Sequence, residues 1–141
     1  MNLFFDTNLL VAISDEAHPH FEQAARIYEG SKQARFYCAA HSLAEFFAVS
    51  TRVPTPSRLS PRQSMDVIED LLADLSPVSL TAAEYLSTIR QIAASGLTGG
   101  IVYDALLIAC ARKCKADVIY TFNERHFTRI APDLADRIKK P

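Results

Sequence analysis

Four oxygen-bearing side chains, Asp6, Glu45, Asp104 and Asn123, occupy positions from which an α/β sheet could gather them at one edge. Asp6 directly follows the apolar run Asn2 to Phe5. Glu45 lies early in the helical stretch after a second such run, Arg35 to Ala39. Asp104 lies early in a helix entered from Gly99-Gly100, and Asn123 follows the run Asp117 to Tyr120 by three residues. In open parallel sheets ligands gather beyond the carboxyl ends of the strands, where the following helices also begin. Carboxylates brought together there raise one another's pKa unless a cation neutralises them. Mg²⁺ accepts oxygen ligands, typically one or two carboxylates plus waters and phosphate. Three carboxylates and one scissile phosphate balance two such ions, with Asn123 adding a neutral oxygen. The chemistry expected of this set is metal-assisted phosphodiester hydrolysis, one ion binding alone and a second arriving with substrate.

Each residue also has a plainer alternative. Asp6 can cap the helix that follows it. Glu45 stands three residues after Ser42, the spacing of a capping box. Asn123 alone reads as a turn residue. Asp104 is harder to dismiss, because it interrupts the apolar stretch Ile101 to Ala109, where an unpaired charge is costly to bury.

The elements that must position these residues alternate short apolar runs with amphipathic stretches, the pattern of an α/β protein. Strands are expected over Asn2 to Phe5, Arg35 to Ala39, Val78 to Leu80 and Asp117 to Tyr120. Helices are expected over Asn8 to Ser14, from His18-Pro19-His20 to about Glu29, and from Ser42 to about Thr51. A further helix starts at Ser60-Pro61 with Met65, Ile68, Leu71, Leu72 and Leu75 facing the core, and another is capped by Thr81 and runs to about Ala94. Gly30 to Ala34 reads as a turn, Val53 to Ser60 as a proline-containing connector, and Ser95 to Gly100 as a mobile or sharply turned loop. Ile101 to Cys114 is apolar enough to be buried on nearly all sides. From His126 to Ile138 either a strand or a helix fits. Four or five strands alternating with helices imply a mostly parallel sheet in a single domain, residues 1–141.

With 141 residues, 49% of them hydrophobic and 22% charged, the chain has the balance of an ordinary globular domain. No run approaches the ~20 apolar residues of a membrane span, and no signal segment opens the chain, so a cytoplasmic protein without membrane contact is expected. The net charge of −1 argues against a protein that coats nucleic acid, but leaves room for a nuclease with a local basic rim. Arg52, Arg58 and Arg62 flank the connector and are candidates for that rim. Arg112, Lys113 and Lys115 end a helix, where the macrodipole explains them. Cys38, Cys110 and Cys114 form an odd set without zinc spacing and read as reduced core residues. His18 and His20 read as solvent-exposed loop residues, while His41 and His126 lie nearer the acids without a spacing that demands catalysis. Gly96, Gly99 and Gly100 fit no phosphate-binding loop.

The stretches Phe4-Phe5-Asp6-Thr7-Asn8, Leu43-Ala44-Glu45-Phe46, Tyr103-Asp104-Ala105-Leu106-Leu107-Ile108-Ala109 and Thr121-Phe122-Asn123-Glu124-Arg125-His126-Phe127, in this order, resemble the PIN domain, and most closely the VapC toxins of toxin–antitoxin pairs. The resemblance spans essentially the whole chain. It implies an α/β/α sandwich around a central parallel sheet, and a Mg²⁺- or Mn²⁺-dependent endoribonuclease acting on tRNA or rRNA. It also implies a VapB-type antitoxin that blocks the groove, and a homodimer. By position, Asp6, Glu45 and Asp104 match the acidic metal ligands, and Asn123 matches a fourth position where many members carry Asp. Glu124, next to it, is placed to compensate. Thr7, Asn8 and Thr121 match accessory polar positions that orient the ligands. In-line attack by a metal-activated water would leave a 5′-phosphate and a 3′-hydroxyl. Two rivals remain. A haloacid-dehalogenase-type phosphohydrolase would need a second Asp where Asn8 stands. A catalytically silent PIN-like module binding RNA or protein is compatible with Asn123.

Overall fold

A computed structural model describes residues 1–141, and its frame is a five-stranded sheet in which every pair of neighbours is parallel. The strands are β1 (Asn2–Phe5), β2 (Arg35–Ala39), β3 (Leu75–Val78), β4 (Val118–Tyr120) and β5 (Ile138–Lys139), in the spatial order β3-β2-β1-β4-β5. The helices are α1 (Thr7–Ile13), α2 (Phe21–Gly30), α3 (Ala40–Ser50), α4 (Pro61–Leu72), α5 (Ala82–Ala94), α6 (Ile101–Lys113) and α7 (Glu124–Ile130).

Strand alternation sorts the core into two halves. Leu3 and Phe5 of β1 point into a cluster with Leu9, Phe46 and Ile68, whereas Phe4 points into another with Ile108, Ile119 and Phe127. Helices α1 to α4 cover the first face, and α6 and α7 the second, giving three layers. Burial on both faces explains the unbroken apolar run of β1. The chain builds outward from β1 through β2 to β3, then crosses back to place β4 on the other side of β1. The strand order reverses between β1 and β4, and there the carboxyl ends diverge to leave a crevice.

The helix starts follow local chemistry. Ser60 and Thr81 each form a complete capping box, with Gln63 and Glu84, and Pro61 occupies the first turn of α4. Gly96 and Gly99 adopt positive φ, which turns the chain sharply into α6. All three cysteines are free thiols, and burial pushes those of Cys38 and Cys110 up to about 12 and about 11. The tail holds both expected elements, helix α7 and the edge strand β5.

Several expectations need correction. The third strand spans Leu75–Val78, not Val78 to Leu80, so Leu75 belongs to the sheet and pairs with Phe36 rather than facing the core from α4. Pro77 inside β3 is tolerated because β3 is an edge strand. The buried stripe of α4 is Ser64, Ile68 and Leu71, and Met65 and Leu72 flank it in solvent. Helix α3 begins at Ala40, with Ala39 in the cap position and no side-chain cap bond. Ser42 is therefore inside the helix, and Glu45 caps nothing. Helix α6 is largely buried, as expected, but exposes Tyr103, Arg112 and Lys113.

Candidate metal centre

Asp6 leaves the sheet where β1 ends, its backbone N–H still paired with the Tyr120 carbonyl at 3.1 Å. It is only 4% exposed. One carboxylate oxygen, Oδ1, accepts from the Thr7 backbone N–H at 2.6 Å, which makes Asp6 the cap of α1. The other, Oδ2, accepts from the Thr121 hydroxyl at 2.7 Å. The capping and site readings are thus compatible, since each carboxylate oxygen keeps a free lone pair. Burial raises the Asp6 carboxyl to about 6 against the pull of these two hydrogen bonds, and the charges of Asp104 and Glu45 push it further up.

Asp104 sits in the first turn of α6 with its side chain 25% exposed. Burial raises its pKa, His126 opposes the rise, and Glu45 adds to it. Glu45 projects from α3, and His41 one turn earlier places Nε2 at 3.0 Å from its Oε1. The fold therefore brings Asp6, Glu45 and Asp104 into one another's field at the strand-order reversal. Thr7 and Thr121 brace this region. Thr7 Oγ1 donates to the buried Ser42 Oγ at 2.8 Å, tying α1 to α3. Thr121 Oγ1, besides donating to Asp6, accepts from the Asn123 backbone N–H at 2.9 Å.

The remaining expected residues stand further from this arrangement. Asn123 occupies the cap position of α7 without a side-chain cap bond and is exposed. Glu124 is half-buried in the first turn of α7. Asn8 is exposed and turns toward a neighbouring groove. Arg52, Arg58 and Arg62 are all exposed, and Arg58 Nε donates to the Val53 carbonyl at 2.8 Å.

Two histidines gain partners that the sequence reading did not assign. His41 was findable, since four residues separate it from Glu45 on one helix face. His126 approaches Asp104 at 3.8 Å only because α7 packs on α6, and no local spacing reveals that. Ser42 was misplaced as a helix cap.

The donor set suits a hard divalent cation. All three acids offer oxygen, and their mutual repulsion in a partly dehydrated crevice is what a cation relieves. No three His, Cys, Asp or Glu side chains stand close enough to hold an ion between them unaided.

Comparison with known proteins identifies the family and the fold. Residues 3–132 match the model of the PIN domain. Ribonuclease VapC40 of Mycobacterium tuberculosis is 30% identical over 117 residues, 81% of each chain. Ribonuclease VapC27 of the same organism is 32% identical over 108 residues, 77% of each. In fold, the chain resembles VapBC2 from Rickettsia felis, solved bound to a DNA fragment from its promoter. The TM-score is 0.69 at 17% identity, covering 99% of this chain and 98% of that one. It also resembles M. tuberculosis VapC20, a sarcin-ricin loop cleaving toxin, with a TM-score of 0.72 at 16% identity over 90% and 94% of the two chains.

Proposed function

This chain belongs to the PIN domain family, among the VapC ribonucleases, and from that premise we propose that it is a metal-dependent endoribonuclease working through Asp6, Glu45 and Asp104, the toxin of a toxin–antitoxin pair. The observation that carries the site assignment is the buried Asp6 carboxylate, held by two hydrogen bonds and facing two further acids at the strand-order reversal. A divalent cation bound there, Mg²⁺ with Mn²⁺ as a substitute, supplies Lewis acidity that activates water and offsets charge developing on the phosphate. The chain's own residues fix where this happens. Thr7 N–H and Thr121 Oγ hold the Asp6 carboxylate in one orientation. His41 steadies Glu45, and His126 flanks Asp104. Asn123, exposed at the start of α7, carries a neutral amide two residues from Thr121.

The substrate we assign is tRNA or rRNA, cut to leave a 5′-phosphate and a 3′-hydroxyl, by residues 1–141 acting as one domain in the cytoplasm. No helix is long and apolar enough to cross a membrane. The partner is a VapB-type antitoxin. Incubation with total cellular RNA in Mg²⁺ or Mn²⁺ should give discrete fragments that disappear with EDTA and with Asp104→Ala. A folded chain that cuts nothing in either metal would instead favour a silent binding module.

We further assign a homodimer to the outer face of α5. Tyr85, Leu86 and Ile89 are 38%, 51% and 46% exposed, and Tyr85 shares a depression with Tyr103, itself 59% exposed. Contiguous apolar surface of this kind marks interfaces. Ile89→Asp should convert a dimer into a monomer in sedimentation velocity. A native chain that sediments as a monomer at high micromolar concentration would remove the assignment.

A further inference from the structure

An RNA strand reaching the acidic trio needs a seat for the nucleotides beside the scissile phosphate. A concavity of about 580 Å³ opens two residues from Asp6, at Asn8, between α1, the loop that follows it, α3 and the connector to α4. Its volume lies within the ~300–1,000 Å³ typical of ligand pockets. Its lining is mixed: Val49, Val53 and Pro54 form an apolar wall, while Asn8, His18 and, at the α1 end, the carboxylate of Asp15 contribute polar groups.

His18 is oriented by a local turn contact. Its Nδ1 accepts the His20 backbone N–H at 3.1 Å, so the ring is oriented and the hydrogen of the neutral imidazole lies on Nε2. The His20 ring lies 5.8 Å from that of His18 and stacks on Phe122 at 4.6 Å. Phe122 separates Thr121 from Asn123 in sequence. A row of flat rings therefore connects the groove with the centre. Arg58, which stands between the lining residues Ser57 and Leu59, uses Nε to hold the Val53 carbonyl, and its terminal guanidinium nitrogens make no hydrogen bond in an exposed side chain.

We propose that this groove seats an unpaired nucleotide of the RNA, its base against the His18 imidazole and its backbone passing Asn8 toward Asp6, with a phosphate on Arg58. The assignment rests on the ribonuclease reading given above. Flat aromatic surface and an apolar wall suit a splayed-out base, which stacks without regard to sequence. A guanidinium suits phosphate. A base inside a duplex could not enter, so the strand must be single-stranded at this point.

The test uses the full chain carrying Asp104→Asn, in Mg²⁺, titrated with a single-stranded oligoribonucleotide of mixed sequence. Methyl NMR signals of Val11, Val49 and Val53 should shift and saturate together. His18→Ala in that chain should raise Kd about tenfold, and His18→Phe should recover most of the loss, because stacking needs the ring and not its nitrogens. Arg58→Ala should lower the salt dependence of log Kd by about one contact. The native chain is assayed in parallel for cleavage of the same RNA. Cleavage with unmoved groove methyls, or an unchanged Kd in His18→Ala, would overturn the groove while the ribonuclease reading stands. Neither binding nor cleavage would overturn both.

Discussion

Asp6→Asn should lower the rate of RNA cleavage by on the order of 10³-fold or more and, in the absence of metal, make the protein more stable at neutral pH. Loss of an outer-shell partner of a metal ligand typically costs 10–100-fold, and loss of the ligand's own charge costs more. The gain in stability has a different origin. Asp6 is 4% exposed, and its carboxyl is raised to about 6 from 3.8 mainly by burial. Holding it ionised at pH 7 therefore costs the folded state about 3 kcal/mol. Asparagine has nearly the same shape, and its carbonyl can still accept the Thr7 N–H. Its amide cannot accept the Thr121 hydroxyl, a loss of about 1 kcal/mol. The balance predicts a gain of about 1–2 kcal/mol, a rise of several degrees in melting temperature. Thermal melts in EDTA check the second half, and fragment analysis on RNA checks the first. A variant that cuts RNA at the native rate would remove Asp6 from the centre.

The metal-free chain should lose stability as pH rises from about 4.5 to 7, opposite to the usual behaviour of a carboxylate in an ion pair. The folded pKa of Asp6 lies above its unfolded value, so the folded state binds more protons between the two. The group's favourable contribution is complete below about 3.8 and is lost as pH passes through about 6. From pH 4.5 to 7 the loss is about 2 kcal/mol. Asp104 is shifted in the same direction and adds to the trend. The surface acids Glu84 and Asp133, paired with Lys113 and Arg112, are shifted downward, and their effect falls at lower pH. Saturating Mg²⁺ should reverse the trend, since the cation binds the ionised acids and stabilises the fold that presents them. Denaturant unfolding at several pH values, with EDTA and with Mg²⁺, measures both slopes. Identical slopes in native protein and Asp6→Asn would show that Asp6 is not the group responsible.

Two of the three proposed acids stand out in the sequence because they violate their local surroundings. Asp6 ends an apolar strand abruptly, and Asp104 breaks an apolar helix. What local pattern could not supply is contact between elements distant in the chain. The Thr121 hydroxyl reaches Asp6 across the β1–β4 seam, 115 residues away in sequence, and His126 meets Asp104 only through the packing of α7 on α6. The third strand was placed too late because Leu75 was taken as the end of the α4 stripe, and whether Pro77 can sit in a strand depends on strand order. Met65 and Leu72 were assigned to the core because a helical stripe has no sharp margin in sequence, and the facing surface decides its width. Ser42 looked like a cap because serine favours helix starts, yet its hydroxyl is used inside the protein to join α3 to α1.

The strand order also governs when this protein can first act. The middle of the sheet is shared by β1 and β4, which lie far apart in the sequence. Asp6 and Glu45 precede the crossing from one face to the other, and Asp104 follows it. Residues up to β3 carry two of the acids, but neither the third acid nor the threonine that steadies the first. The centre is therefore complete only when α6 and β4 have joined β1, and any state lacking them holds two acids instead of three.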